Sequence, residues 1–377
     1  MSSEPTNAAP LLLHVFPTFA VGGSQARLAA LANRFGSKYR HAIVAMDGAY
    51  DCFERLCEQV VAERWIVPSP KRNTFGNMRA FRRILAARRP DLLITYNWGA
   101  IEWALANRPH VVPHIHIEDG FGPEETHGQL FRRVFTRRLA LAKSIVVLPS
   151  RTLYRLALDK WRLPADRVRH IPNGIDVARF RSVHAPVPLP GGAGPVIGTV
   201  AALRPEKNIP RLLRAFRTLR EKMPCRLVIA GDGPERVALE LLAAQTLPAN
   251  SFAFLGHISS AERVYAALHI FALPSDTEQM PTSLMEAMAA GLPVIATDVG
   301  DVREMVSVEN RPYVVPRDDE LFSAVLFGLA GNASLRAAIG DHNRLVAEAR
   351  FGIGHMTAAY DSLFETLSGC RQLRSVN

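Results

Sequence analysis

Apolar and polar positions follow two recurring patterns along this chain, and together they predict alternating strands and helices. Short apolar runs bounded by proline, glycine or polar residues indicate buried strands. The runs lie at residues 11–16, 41–46, 91–96, 111–117, 144–149, 196–200, 226–230, 252–255, 270–273 and 294–297. Between them, apolar residues spaced three or four positions apart indicate amphipathic helices, most clearly at 25–35, 77–87, 129–143 and 208–222. The alternation predicts an α/β fold with parallel, doubly wound sheets.

A stretch rich in proline and glycine, residues 185–195, interrupts this rhythm. Such stretches mark domain boundaries, and 377 residues suffice for about two domains. We therefore predict two Rossmann-like domains, 11–182 and 183–353, that face each other across a ligand-binding cleft. Residues 1–10 have the composition of a disordered tail. Residues 354–377 form a final helix, for which the first domain is a candidate docking site.

The composition excludes several classes of protein. With 48% hydrophobic and 21% charged residues, the chain is not intrinsically disordered. No apolar run reaches the roughly 18 residues of a membrane span, and the first ten residues lack the pattern of a signal peptide. Its four cysteines are scattered, without redox or usual zinc spacing. We therefore expect a reducing, cytoplasmic location.

The positive charge is concentrated in one half of the chain. The net charge is +10, and residues 1–170 carry +11 of formal charge while the remainder carries −1. This indicates an anionic partner or an arginine-rich solvated surface. The helices at 77–88 and 129–143 carry arginines around apolar residues, and either a solvated basic face or docking to an anionic membrane accounts for them. No nucleic-acid-binding motif accompanies the charge, so nucleic acid is disfavoured.

Two segments carry candidate chemistry. After a strand that ends near Pro274, a loop with Glu278 leads into a short helix from about Thr282 to 290. A helix N-terminus favours phosphate, and carboxylates accept hydrogen bonds from sugar hydroxyls. Alternatively, Ser283 and Glu286 form a structural capping box, and Glu278 is a solvated loop residue.

The second segment, residues 113–122, places His114, His116 and Glu118 on one side of an extended chain, followed by Asp119. A cluster of histidine and glutamate can bind zinc, so this chemistry stays open on the residues alone.

Several motifs in order resemble those of the large family of retaining, nucleotide-sugar-dependent glycosyltransferases with the GT-B fold, the group 1 type. Two glutamates, Glu278 and Glu286, are separated by seven residues and followed by the pattern Ala-Met-Ala-x-Gly-x-Pro-Val. Four further matches precede them, at residues 22–23, 171–176, 205–208 and 231–234. The resemblance covers roughly residues 11–370.

The resemblance implies a role for each matching residue. Glu286 would hold the donor's ribose, Lys207 would neutralise its diphosphate, and Glu278 would contact the donor sugar. The donor-binding set it implies is Gly23, Arg204, Lys207, Gly231, Met280, Pro281, Thr282, Ser283 and Glu286. The catalytic set is His116, Asp119 and Glu278. No metal and no cofactor is expected beyond the nucleotide-sugar co-substrate.

Two positions depart from the family pattern. Ala202 stands where the family often has an arginine, and Arg204 is the candidate substitute. Gln279 stands where a glycine is common, in the loop around the donor sugar. These departures leave the donor sugar undetermined.

The implied activity is transfer of a sugar from a nucleotide diphosphate sugar to a hydroxyl acceptor, in polysaccharide or glycolipid assembly. A lipid-linked acceptor would bring the protein to the inner face of the membrane. Two alternatives are a non-hydrolysing sugar-nucleotide epimerase and a non-catalytic sugar-nucleotide-binding regulator. A dehydrogenase is disfavoured because no G-x-G-x-x-G motif follows the first strand.

Overall fold

The computed structural model describes residues 9–68, 73–121, 125, 128–181, 185–189 and 192–372. The predicted tail, 1–10, lies almost wholly outside these ranges. The chain divides into two compact units, Met1–Pro172 with Met356–Asn377, and Asn173–His355. The division falls after Pro172 rather than after residue 182, because Ile175 N donates to Phe351 O at 2.8 Å and so ties this segment to the second unit.

The first unit is built on a seven-stranded parallel sheet. Its strands are β1 (Leu11–Phe16), β2 (Arg40–Ala45), β3 (Val61–Arg64), β4 (Leu92–Tyr96), β5 (His114–Ile117), β6 (Ile145–Leu148) and β7 (Val168–His170). Its helices are α1 (Gly23–Phe35), α2 (Thr74–Arg88), α3 (Ile101–Ala106), α4 (Phe131–Leu141), α5 (Arg151–Asp159) and, from the end of the chain, α14 (Ile353–Gln372). The strands lie in the order β3-β2-β1-β4-β5-β6-β7. The inner strands are buried along almost their whole length because helices cover the sheet.

The second unit is built on a six-stranded parallel sheet. Its strands are β8 (Val196–Val200), β9 (Arg226–Ala230), β10 (Phe252–Gly256), β11 (Ile270–Leu273), β12 (Val294–Thr297) and β13 (Val314–Val315), in the order β10-β9-β8-β11-β12-β13. Its helices are α6 (Val177–Arg181), α7 (Ile209–Lys222), α8 (Arg236–Thr246), α9 (Ala261–Tyr265), α10 (Thr282–Ala289), α11 (Val302–Met305), α12 (Asp319–Ala330) and α13 (Ala333–Arg350). The predicted α/β class with two parallel sheets is confirmed.

The last helix, α14, packs within the first unit. The Phe364 ring lies against the rings of Phe35 and Tyr39, with centroids 6.0 Å and 5.8 Å away. Asp361 accepts hydrogen bonds from Lys38 Nζ at 2.7 Å and from the Tyr39 hydroxyl at 2.8 Å. The end of the chain therefore completes the packing of its beginning.

Helix α4 is oriented opposite to the usual amphipathic arrangement. Its large apolar side chains Phe131, Phe135 and Leu139 are exposed by 84%, 59% and 50%. Arg133 and Arg137 are buried instead. The expectation of an apolar face on the core is therefore wrong for these three residues, and only Arg132 and Arg138 of the four arginines lie on the outer face. In α2 the expected arrangement is present, with Phe81 and Leu85 buried and Arg79 exposed.

Of the helices in the described ranges, none on its own combines the length and apolar composition needed to cross a membrane. Helices α12 and α13 meet those criteria only as a pair, and they are bent by 103° relative to each other.

Candidate functional site

In the second unit, the loops after β8 and β11 meet at the carboxyl edge of the sheet. Lys207 Nζ donates to Glu278 Oε1 at 2.6 Å, and the Ser275 hydroxyl donates to the same oxygen at 2.8 Å. The backbone N–H of Asp276 donates to Glu206 O at 2.8 Å and joins the two loops. The fold thus brings together two residues that lie 71 positions apart in the sequence. In the protein without ligand, the Lys207 ammonium and the Glu278 carboxylate compensate each other's charge.

Helix α10 begins at Thr282, as the sequence predicts. Pro281 occupies its N-cap, and within the described part of the chain no side chain caps the first turn. The proposed capping box of Ser283 and Glu286 is therefore not formed. Uncapped N–H groups at a helix N-terminus are donors for an anion.

Glu286 lies inside α10 and is paired with a tyrosine instead. The Tyr265 hydroxyl donates to Glu286 Oε2 at 2.8 Å. Burial raises the pKa of Glu286 to about 7, and the hydrogen bond from Tyr265 only partly offsets this effect. The side chain is therefore poised to change its protonation state near neutral pH.

The linker motif at 171–176 supports the loop before α10. Asn173 Nδ2 donates to Met280 O at 3.2 Å, and Asn173 N contacts Met280 Sδ at 3.3 Å. Gly174 permits close approach to the first residue of α14, since an added Cβ would lie 2.9 Å from Ile353 Cα. The buried Met280 and Pro281 are thus held by a segment more than 100 residues earlier.

Two glycines after β9 let a neighbouring loop approach closely. At Gly231, with φ of +129°, a Cβ would overlap the carbonyl oxygen of Ala201. At Gly233 a Cβ would lie 2.5 Å from Leu203 O. Gly231 therefore shapes the loop after β8 by its lack of a side chain.

That loop carries the departure from the family pattern. Leu203 is buried, while Ala202 and Arg204 on either side of it are exposed. Ala202 and Arg204 are thus both accessible, so the structure keeps Arg204 available as the substitute.

In the first unit, Asp119 follows β5 and forms a two-pronged ion pair with Arg27 of α1. Arg27 Nη1 and Nη2 lie 2.5 Å and 2.9 Å from the two carboxylate oxygens of Asp119. Asn97 Oδ1 accepts a hydrogen bond from Asp119 N at 2.7 Å. Such paired geometry fixes the orientation of a carboxylate. At the start of α1, a Cβ on Gly23 would meet no atom within 4 Å, so this position stays open to an approaching group.

His116 lies beneath this strand end and is fully buried. Its Nδ1 lies 2.8 Å from Thr95 Oγ1, which also contacts His114 Nε2 at 2.8 Å. His116 Nε2 lies 3.5 Å from Glu118 Oε2. The side chain of Asp119, by contrast, is 21% exposed. Of the two catalytic candidates in this segment, His116 and Asp119, Asp119 is therefore the accessible one.

The predicted His/Glu alternation is present, because His114, His116 and Glu118 share one buried network. Burial lowers the pKa of His114 well below its usual value. Among the residues the structure describes, no group of three or more histidine, cysteine, aspartate or glutamate side chains is arranged to hold a metal ion.

Several functional partners were not identified from the sequence. Arg27 lies 92 positions from Asp119, and Tyr265 lies 21 positions from Glu286. Neither residue stands in a recognised motif. Asn173 stands in the linker motif, which was the only signal that could have indicated it.

Two parallel-sheet α/β units, one with a cation–carboxylate pair whose carboxylate lies in the loop leading into α10, are the architecture of the GT-B class of sugar-transferring proteins. The family model described as Glycosyltransferase Family 4 matches residues 21–179, and the model described as Glycosyl transferases group 1 matches residues 186–344. The second match identifies residues 186–344 as a group 1 glycosyltransferase domain, as the motifs predicted.

Known proteins resemble the chain over different extents. A GDP-mannose-dependent alpha-mannosyltransferase of Mycolicibacterium smegmatis is 34% identical over 152 residues, which are 39% of this chain and 37% of that protein. WcaL of Escherichia coli K12, a glycosyltransferase assigned to colanic acid biosynthesis, is 32% identical over 202 residues, 51% of this chain and 46% of that protein. The chain thus matches less than half the length of these relatives.

Among solved structures, Anabaena HepE in complex with UDP-glucose superposes with a TM-score of 0.76 at 18% identity. The superposition covers 94% of this chain and 99% of HepE. At this identity the likeness shows the fold alone.

Proposed function

We propose that this protein is a retaining glycosyltransferase that moves a sugar from a nucleotide diphosphate sugar to a hydroxyl acceptor in polysaccharide or glycolipid assembly. The observation that carries the proposal is the Lys207–Glu278 pair, with Glu278 in the loop that leads into the uncapped N-terminus of α10 and Glu286 inside that helix. The mannosyltransferase relative uses GDP-mannose and HepE binds UDP-glucose, which supports a donor of this class.

The donor site works by placing positive charge where negative charge develops. As the sugar leaves, its nucleoside diphosphate gains negative charge, which the Lys207 ammonium and the N–H groups of α10 stabilise. Glu278, which holds Lys207 in the free protein, would then accept hydrogen bonds from the sugar hydroxyls. With this charge compensation built from the chain itself, we propose that the enzyme needs no metal ion.

On the acceptor side, we propose that Asp119 contacts the incoming hydroxyl and that Arg27 fixes its carboxylate. The enclosed His116 positions the strand end beneath Asp119, through Thr95 and Glu118. Cys52, Cys57 and Cys225 are free thiols, which is typical of a reducing compartment and supports a cytoplasmic location.

Titration calorimetry with UDP and GDP tests the donor site. We expect Lys207→Ala and Glu286→Ala each to weaken nucleotide binding roughly tenfold to a hundredfold, because each removes a charge-assisted hydrogen bond. Lys222→Ala and Glu221→Ala, on the exposed end of α7, are the matched controls and should bind like the wild type. Unchanged affinity in both folded site variants would overturn the assignment.

Transfer itself is tested with a panel of nucleotide sugars and hydroxyl acceptors. We expect a glycosylated product with the anomeric configuration of the donor, read by proton NMR of the first product formed. An inverted product would refute the retaining mechanism. Conversion of the nucleotide sugar without any acceptor would instead indicate the epimerase.

A further inference from the structure

The exposed face of α4 carries an apolar stripe, defined here as Phe131, Phe135 and Leu139. The three residues are spaced four apart, so they lie on one side of the helix. They are exposed by 84%, 59% and 50%. A helix at the surface of a water-soluble protein normally turns such residues toward the core. A row of three on the outer face therefore indicates something that covers it.

Buried charge fixes α4 in this orientation. Arg137 is fully buried, and its Nε donates to Glu118 Oε2 while Nη1 and Nη2 donate to the Glu125 carboxylate, all at 3.1 Å. Its guanidinium also lies 5.0 Å from the ring centres of Trp98 and Trp161. Rotating the helix to bury the stripe would break these contacts and leave two carboxylates unpaired.

Arg133 repeats the arrangement one turn earlier in the helix. Its Nη1 donates to Glu125 Oε2 at 3.1 Å, and its guanidinium lies 4.9 Å from the Trp98 ring centre. Buried ion pairs contribute little net stability compared with apolar packing. The inverted helix is therefore poorly explained as a way to stabilise the fold.

The residues around the stripe are basic. Arg132, Arg138 and Lys143 are exposed. Residues 129–143 contain five basic residues and no acidic one. An exposed apolar row in a segment whose charged residues are all basic complements a surface with negative charge outside and apolar material just beneath, which describes an anionic lipid leaflet.

We propose that α4 is a membrane-docking helix whose apolar stripe inserts into the interface of an anionic lipid surface, with Arg132 and Arg138 contacting the headgroups. The inference goes beyond sugar transfer and rests only on α4. It would hold whichever sugar or acceptor the protein uses.

Helix α2 provides a matched control. It is also basic, and Arg79 and Arg83 are exposed, but its buried apolar residues include Phe81 and Leu85. Its one strongly exposed large apolar residue is Phe75, at 84%. If charge alone caused lipid binding, α2 would contribute as much as α4.

Flotation with vesicles of phosphatidylcholine, with or without phosphatidylglycerol, tests the proposal. We expect the wild type to float only with phosphatidylglycerol and to dissociate as salt rises. Phe131→Ser/Phe135→Ser/Leu139→Ser should weaken binding at least about tenfold, since burial of large apolar side chains drives insertion. Arg132→Gln/Arg138→Gln should weaken it roughly tenfold at low salt. Arg79→Gln/Arg83→Gln should float like the wild type.

Three results would overturn the proposal. In the first, the wild type does not bind vesicles at low salt. In the second, the stripe variant floats like the wild type. In the third, sedimentation shows that the wild type is a dimer and that the stripe variant is a monomer. The last would mean that a second copy of the chain covers the stripe.

Calorimetry of UDP binding on each variant reports the donor site separately, so failure of docking and failure of the proposed activity are distinguishable. Because the replaced side chains are exposed, every variant should unfold at the same urea concentration as the wild type.

Discussion

The two glutamates of the motif have different surroundings, although the sequence motif gives no sign of a difference between them. Glu278 accepts hydrogen bonds from Lys207 and Ser275, whereas Glu286 is partly buried and accepts one from the Tyr265 hydroxyl. Spacing identifies which residues form a site. It does not reveal the charge state, which depends on partners from other elements such as α9. For the same reason the sequence indicated Asp119 without indicating Arg27.

The buried carboxyl of Glu286 makes the stability of the protein depend on pH. Its pKa is raised from an ordinary 4.5 to about 7. Between pH 4.5 and pH 7 the Glu286 carboxyl keeps its proton in the folded state but loses it in the unfolded state. The stability that the protonated Glu286 contributes therefore falls as pH rises and is lost above about pH 7. We expect Glu286→Gln to raise the free energy of unfolding by about 1–3 kcal/mol at pH 8. At pH 4.5 the same substitution should change the free energy of unfolding little.

Urea unfolding at both pH values measures this difference, with Glu221→Gln on α7 as the exposed control. An equal effect of Glu286→Gln at both pH values would contradict the pKa assignment. The same variant should bind nucleotide more weakly. Glu286 would therefore lower the stability of the protein while it strengthens nucleotide binding.

At the scale of elements, α4 shows what periodicity can and cannot predict. Its apolar and its basic residues both repeat with helical spacing, so the sequence predicts a helix but not which row faces inward. Arg133 and Arg137 lie inward because Glu118 and Glu125, from the preceding strand end and loop, pair with them. The strands β3, β7 and β13 were missed because they are short, and β3 is largely exposed.

Replacing single arginines of α4 should separate the two faces. Arg137→Gln leaves two buried carboxylates without their main cation, so we expect the free energy of unfolding to fall by about 3–5 kcal/mol. Arg138→Gln, on the exposed face of the same helix, should change it by less than about 0.5 kcal/mol. Urea unfolding of both variants gives the comparison, and similar small effects would show that the buried network contributes little.

At the scale of the whole molecule, the sequence predicted two parallel-sheet units and their order, because strand and helix patterns and five motifs all agreed. The division point differs because proline and glycine content indicates a break in the strand and helix pattern, whereas the backbone hydrogen bonds of Ile175 decide which unit the segment joins. Composition does not report such long-range pairing.

The proposed enzyme as a whole should work without a metal ion. Lys207 and the first turn of α10 supply positive charge for the diphosphate, so we expect full transfer activity in excess EDTA. Activity is measured on a working donor and acceptor pair before and after addition of the chelator. Loss of activity that manganese or magnesium restores would refute metal independence.

The docking of α14 has a consequence for how the protein is made. A ribosome releases residues 1–172 first, yet the surface of Phe35 and Tyr39 stays uncovered until Phe364 has emerged. The second unit is continuous in sequence and can fold in the meantime. The first unit is therefore begun before the second unit and completed after it. A nascent chain stalled within the second unit would expose an aromatic surface that a chaperone could bind.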